Sequence, residues 1–140
     1  MSQEKRATVR LKQEMTFEGE TGTGQTFILD ASEGHGGQGA GARPMELLLA
    51  GLAGCTAMDV ISILRKMKQP VEGFEVNVRG TRASEHPRVY TNIHLEYVIQ
   101  GTGVEGSMVE KAIDLSVNKY CSASAMMKET ADLTTSYRIK

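Results

Sequence analysis

Between Leu47 and Met58 the chain carries no charged side chain, and no other stretch limits its fold so tightly. Pro44 stands just ahead of this run and suits the first turn of a helix, where its missing N–H costs nothing. Pro70 and Gly73 mark the far end. A helix this apolar on all sides is expected to be buried. Its uncharged run reads as too short to cross a bilayer. Ala50, Ala53, Gly54 and Ala57 make one side of it small, so that another backbone can approach closely. Cys55 sits inside this dry run, and a thiol in that position calls for a reason.

The 140 residues suit one domain, 1–140, with a core of ordinary size. With a net charge of -1 and no long basic run, a nucleic-acid partner has no electrostatic support. The opening MSQEKRATVR has no apolar segment, so a secretory leader is not expected and a cytoplasmic setting is. Two cysteines in that setting should stay reduced, and a disulfide between them would belong to a reaction cycle rather than serve as a staple. Eight methionines against three phenylalanines and no tryptophan point to a pliable core or interface.

Ala7, Val9, Leu11, Met15 and Phe17 keep one phase of a two-residue alternation, with Thr8, Arg10, Lys12 and Glu14 in the other. Thr21-Gly22-Thr23-Gly24 reads as a turn into a further strand over residues 25–30. The first thirty or so residues are therefore expected to form an antiparallel meander. Residues 31–43 are glycine-rich and read as a flexible connector. Gly34, Gly36 and Gly39 formally match a dinucleotide-binding fingerprint, but the helix begins after all the glycines, and the preceding strands do not form a βαβ unit. After the apolar helix, alternation at Phe74, Val76 and Val78 and again at Ile93, Leu95, Tyr97 and Ile99 predicts a hairpin. Val109, Ala112, Ile113, Ser116, Val117 and Tyr120 fall at helical spacing. A break at Cys121-Ser122 restarts as a short helix, and Leu133, Thr135, Tyr137 and Ile139 alternate as a closing strand. The order β-β-β-α-β-β-α-α-β predicts an α+β fold with mainly antiparallel sheet. A single helix this apolar needs cover on more than one side, which points to a homodimer.

A buried cysteine is commonly just a small hydrophobe. Cys55 lies mid-helix, with Asp59 one turn on to disfavour its thiolate, so it needs a cation from elsewhere. Cys121 looks better placed, because Ser122 can cap the following helix and set the thiol near its positive end. On the residues alone Cys121 is the more reactive of the two, and their spacing does not establish that they meet. His35, His86 and His94 read as solvated, and no metal-ligand spacing and no cofactor motif is present. Met58, Met126 and Met127 suit either core packing or an apolar entrance.

The run Pro44-Met45-Glu46-Leu47-Leu48-Leu49-Ala50-Gly51-Leu52-Ala53-Gly54-Cys55 resembles the helix bearing the first cysteine in the OsmC/Ohr proteins. Lys119-Tyr120-Cys121-Ser122-Ala123-Ser124 is similar to that family's second signature. Element order and length agree as well, so the resemblance covers essentially the whole chain, and the sequence looks closer to the YhfA-like branch than to OsmC or Ohr proper. The resemblance implies an OsmC-like fold, an intertwined homodimer with sheet wrapped around long central helices. It also implies a thiol-dependent peroxidase that reduces organic hydroperoxides in oxidative or osmotic stress defence. Cys55 then matches the peroxidatic cysteine, which becomes a sulfenic acid, and Cys121 the resolving one, which closes a disulfide. A dithiol reductant, a lipoylated protein in the Ohr branch, reopens it by exchange.

Two departures stand out. The family's active-site glutamate directly follows the proline, where this chain has Met45 and places Glu46 one residue later; one residue turns a helical side chain by about 100°. The family's activating arginine lies in a loop that here, over residues 18–24, contains no arginine, and Arg43 is the nearest stand-in. The candidate site is thus Cys55, Cys121, Glu46 and Arg43. The alternative is a non-catalytic dimer of the same fold that binds a small apolar or thiol ligand; neither reading calls for nucleic acid, membrane or metal.

Overall fold

The alternation that starts at Ala7 does not run on to Phe17 in one strand. Glu14 adopts a left-handed backbone with φ 49°, and the chain folds back there, pairing Gln13 with Thr16 and Leu11 with Phe17. Strand β1 (Ala7–Gln13) is therefore followed at once by β2 (Thr16–Thr21), and β3 (Thr26–Leu29) adds to its other edge, both pairings antiparallel. The structure, a computed structural model, describes residues 3–140. They fall into two compact units, one ending at Leu48 and the other spanning Leu49–Lys140.

In the first unit the glycine-rich segment is folded back on itself, not the flexible connector its composition suggested. Asp30, only 2% exposed, accepts a hydrogen bond from Thr16 Oγ1 at 2.9 Å and from the N–H groups of Ala31, Gln38 and Ala40 at 2.7, 3.2 and 3.1 Å. Burial pushes its carboxyl up, but these bonds to the charged form outweigh it and hold the group below its ordinary value. Ala42 bridges back to Leu29 in parallel register. Two glycines permit the close approach: a Cβ on Gly37 would lie 2.0 Å from the Ala31 carbonyl oxygen, and one on Gly41 2.3 Å from that of Ile28.

Helix α1 (Pro44–Lys66) begins in the first unit and continues into the second. The second unit then forms the expected hairpin, β4 (Gly73–Arg82) with β5 (Tyr90–Gln100), and β6 (Asp132–Ile139) joins β5 in parallel. Helix α2 (Gly106–Leu115) widens into a π-helical turn at Ser116–Tyr120, and the short α3 (Ser122–Met127) follows. The result is the α+β architecture and element order that the sequence predicts. Leu52, Val60 and Leu64 of α1, Ile93, Leu95, Tyr97 and Ile99 of β5, and Val109 and Ala112 of α2 are buried in its core.

Two expectations about α1 need correcting. Within this chain it buries a single stripe, Leu52, Thr56, Val60 and Leu64, each four residues from the last; Met58 remains 75% exposed. The helix is also longer than its uncharged run. Its 23 residues are, by length and composition, apolar enough to cross a membrane, so length does not exclude a bilayer as the run had suggested.

Candidate functional site

Cys55 and Cys121 are brought together in the second unit. Cys55 occupies the middle of α1, half-buried, and Cys121 is buried between the π-helical turn and α3. Both are free thiols, and Cys55 is close enough to act on Cys121 by hydrogen bonding and by charge. The backbone explains the placement of Cys121. Its N–H donates to Ser116 O at 2.7 Å, the long-period bond of a π turn, and its Sγ accepts from Ser124 N at 3.3 Å. Cys121 thus caps α3 itself, a role the sequence had given to Ser122. Ser124 Oγ is buried without a hydrogen-bond partner, close enough to the Cys121 thiol to lower its pKa.

Burial is the largest influence on the Cys121 thiol and pushes its pKa up. The Ser124 hydroxyl and N–H pull it back, and Cys55 raises it further.

Beside the pair runs a chain of polar groups of which the sequence reading singled out only Asp59. Tyr97 OH and Thr56 Oγ1 are 2.8 Å apart, Thr56 Oγ1 and Ser116 Oγ 2.7 Å, and Ser116 Oγ donates to Asp59 Oδ2 at 3.0 Å. Tyr97, Thr56 and Ser116 are fully buried, while Asp59 is half-buried. Burial raises the Tyr97 phenol to about 12; the bond to Thr56 opposes the rise, and the Cys121 and Asp59 charges add to it. One signal was available: Thr56 and Asp59 are polar residues inside an otherwise apolar stretch of helix, directly after Cys55.

Glu46 and Arg43 bond within the first unit, at the start of α1. Glu46 Oε1 accepts the Arg43 N–H at 2.8 Å, in the manner of a carboxylate closing the first turn of its own helix. The Arg43 guanidinium donates to Gly41 O at 3.1 Å. Met58 lines a hollow of about 300 Å³ with Ala57, Ile61, Arg65 and Phe74. His94 lies between Thr134 Oγ1 and Ser136 Oγ, at 2.7 and 2.8 Å, across the β5–β6 pair.

The sequence pattern of the OsmC-like protein family matches residues 35–136. Protein YhfA of Escherichia coli strain K12 is 37% identical over 133 residues, covering 95% of this chain and 96% of that protein. A hypothetical protein from Aquifex aeolicus, known from its crystal structure, superposes with a TM-score of 0.87 at 34% identity, covering 99% and 98% of the two chains. An organic hydroperoxide resistance protein from Elizabethkingia anophelis shares the fold at 16% identity, with a TM-score of 0.73 and coverage of 100% and 99%.

Proposed function

The chain belongs to the OsmC-like protein family, and from that premise we propose that it is a cytoplasmic, homodimeric thiol peroxidase working through Cys55 and Cys121. The observation that carries the reading is the juxtaposition of two free thiols from separate elements, one half-buried and one buried. The half-buried thiol can meet a substrate, and the buried one can meet only its neighbour. A likeness in fold to a protein named for organic hydroperoxide resistance supports the substrate class.

In the proposed cycle the Cys55 thiolate attacks one peroxide oxygen. The O–O bond breaks, the alkoxide leaves and takes a proton to become an alcohol, and Cys55 is left as a sulfenic acid. Cys121 then attacks the Cys55 sulfur, expelling the hydroxyl as water and closing the disulfide. A dithiol reductant, such as a lipoylated protein, restores both thiols by exchange. Glu46 and Arg43 are proposed to support the start of α1, in keeping with their bonds to one another and to Gly41.

The test is mass spectrometry with thiol alkylation before and after one equivalent of cumene hydroperoxide. A linked Cys55–Cys121 peptide is expected in the native protein, Cys55→Ser should consume no peroxide, and Cys121→Ser should stop at a sulfenic acid after one turnover. A second reading, a dimer that binds a small apolar or thiol ligand without turnover, is favoured by the lack of an arginine over residues 18–24, where the family carries its activating one. It is the outcome if both thiols survive peroxide unchanged.

A further inference from the structure

The two cysteines sit on elements far apart in the chain, and an unbroken line of bonds joins their backbones. Thr56 follows Cys55 on α1, and its Oγ1 lies 2.7 Å from Ser116 Oγ. The carbonyl of that same Ser116 accepts the Cys121 N–H, also at 2.7 Å. In an α-helix the Cys121 N–H would bond the carbonyl four residues back, at Val117. The π-helical turn over Ser116–Tyr120 moves that bond to Ser116 instead. The wider turn thus lets one serine hold both ends of the line, its hydroxyl toward α1 and its carbonyl toward Cys121. Cys121 Sγ in turn accepts from Ser124 N at 3.3 Å, which fixes the sulfur as well as its backbone.

The line is also held in one arrangement. An ionised carboxylate can only accept, and each hydroxyl has one proton to give. With Asp59 ionised, Ser116 donates to Asp59 Oδ2 at 3.0 Å, so Thr56 must donate to Ser116, and Tyr97 to Thr56 at 2.8 Å. Every hydroxyl proton is placed, and Tyr97, Thr56 and Ser116 are buried from water that would compete for them. We propose that Thr56 and Ser116 are positioning residues, a buried hydroxyl clamp that holds Cys121 within reach of Cys55 for disulfide closure. The proposal rests on the two-cysteine cycle above and names what sets the approach of its two sulfurs. The clamp moves no electron and no proton. It raises the effective concentration of one thiol at the other by limiting where each can go. By linkage, a disulfide between the two then favours the clamp as much as the clamp favours the disulfide.

Equilibration with mixtures of reduced and oxidised dithiothreitol measures the clamp without peroxide. Two protein thiols and the cyclic reagent disulfide exchange for one protein disulfide and two reagent thiols. Alkylation and mass spectrometry then follow the linked Cys55–Cys121 peptide at each ratio. Thr56→Val keeps the shape and removes one hydroxyl. Ser116→Ala removes the other and leaves the carbonyl that holds Cys121. Each is expected to weaken the disulfide about tenfold, a modest loss beside what a small misplacement of reacting groups can cost. Tenfold corresponds to a rise in reduction potential of about 30 mV for this two-electron couple. Thr56→Ser, which restores the hydroxyl, should stay within a few-fold of native. Denaturant melts of the oxidised and reduced forms give the reciprocal reading, with the disulfide stabilising the native protein more than either variant. A hydroxyl that served packing alone would lower both forms alike and leave the potential unmoved. A native potential in Ser116→Ala, or in a folded Thr56→Val, overturns the clamp and leaves the two-cysteine cycle standing, as does a Thr56→Ser protein shifted as far as Thr56→Val. A native protein that forms no linked peptide at any ratio overturns the cycle itself, and the clamp with it. Ser116→Ala, which takes away a single oxygen, keeps the test open should Thr56→Val fail to fold.

Discussion

A thiol that attacks a neighbouring sulfur reacts as its thiolate, and Cys121 is held back from that form. Its burial, at 3% exposure, is the main reason, with the nearby Cys55 adding to it. In Cys55→Ser the second influence is gone but burial remains. Alkylation of Cys121 in that variant should therefore rise with pH along a curve whose midpoint lies above that of a free thiol, about 8.5. A midpoint at or below the free-thiol value would mean that the pocket is wetter or more cationic than its side chains imply. The same shift bears on stability. The folded protein holds this proton more tightly than the unfolded chain, so the contribution is full below the unfolded thiol's pKa and is lost as pH rises through the folded one. Thermal midpoints should fall as pH is raised past about 8.5, the ordinary thiol value, and the fall should be shallower in Cys121→Ser. Tyr97, raised to about 12, pushes the same way at higher pH.

At the level of elements, the segment between β3 and α1 behaves as a folded piece with its own centre in Asp30. Its glycines are not equivalent. Gly34 has open space where a Cβ would go, whereas one on Gly37 would collide with the Ala31 carbonyl. Gly37→Ala is expected to destabilise by about 1–3 kcal/mol, as overpacking commonly does. Gly34→Ala should stay within about 0.5 kcal/mol, the range of an unremarkable surface change. Denaturant melts of the two variants compare them directly, and equal stabilities would argue that the loop is not held as described. That loop was not legible in the sequence, because glycine content signals freedom while the Asp30 bonds that remove it join Thr16 to residues up to Ala40. The turn at Glu14 was missed because neither it nor Met15 is a turn-forming residue. The hairpin β4–β5, the closing strand and the break at Cys121 were legible, since two-residue and helical periods are local and strong there. The polar chain of the site was not, since Tyr97, Thr56 and Ser116 sit at positions whose pattern reads as core, on three separate elements.

For the whole molecule the unsettled surface is apolar. Helix α1 covers one stripe of itself and leaves Met58 75% exposed and Leu48 47% exposed; in β1, Val9 and Leu11 are 51% and 60% exposed. Apolar surface of this kind in water is associated with an interface, and burying one such side chain is worth about 1.5–3 kcal/mol. In the proposed dimer a second copy of the chain would cover this surface, including a helix that by length and composition could also cross a membrane. Sedimentation equilibrium in detergent-free buffer should therefore give a dimer. Met58→Asp should weaken it by tenfold or more, since a tenfold loss needs only about 1.4 kcal/mol, with the helical circular dichroism retained. A native protein that sediments as a monomer would refute the dimer, and one recovered with lipid vesicles rather than in solution would assign α1 to a membrane instead. The variant also bears on the chemistry. Met58 lies three residues beyond the half-buried Cys55 on the same helix, so a partner covering Met58 would also bear on the surface around that thiol. If dimerisation completes the site, Met58→Asp should lose peroxide turnover in proportion to its loss of dimer, and raising the protein concentration should restore both together. Turnover that stays unchanged in the monomeric variant would show that one chain suffices.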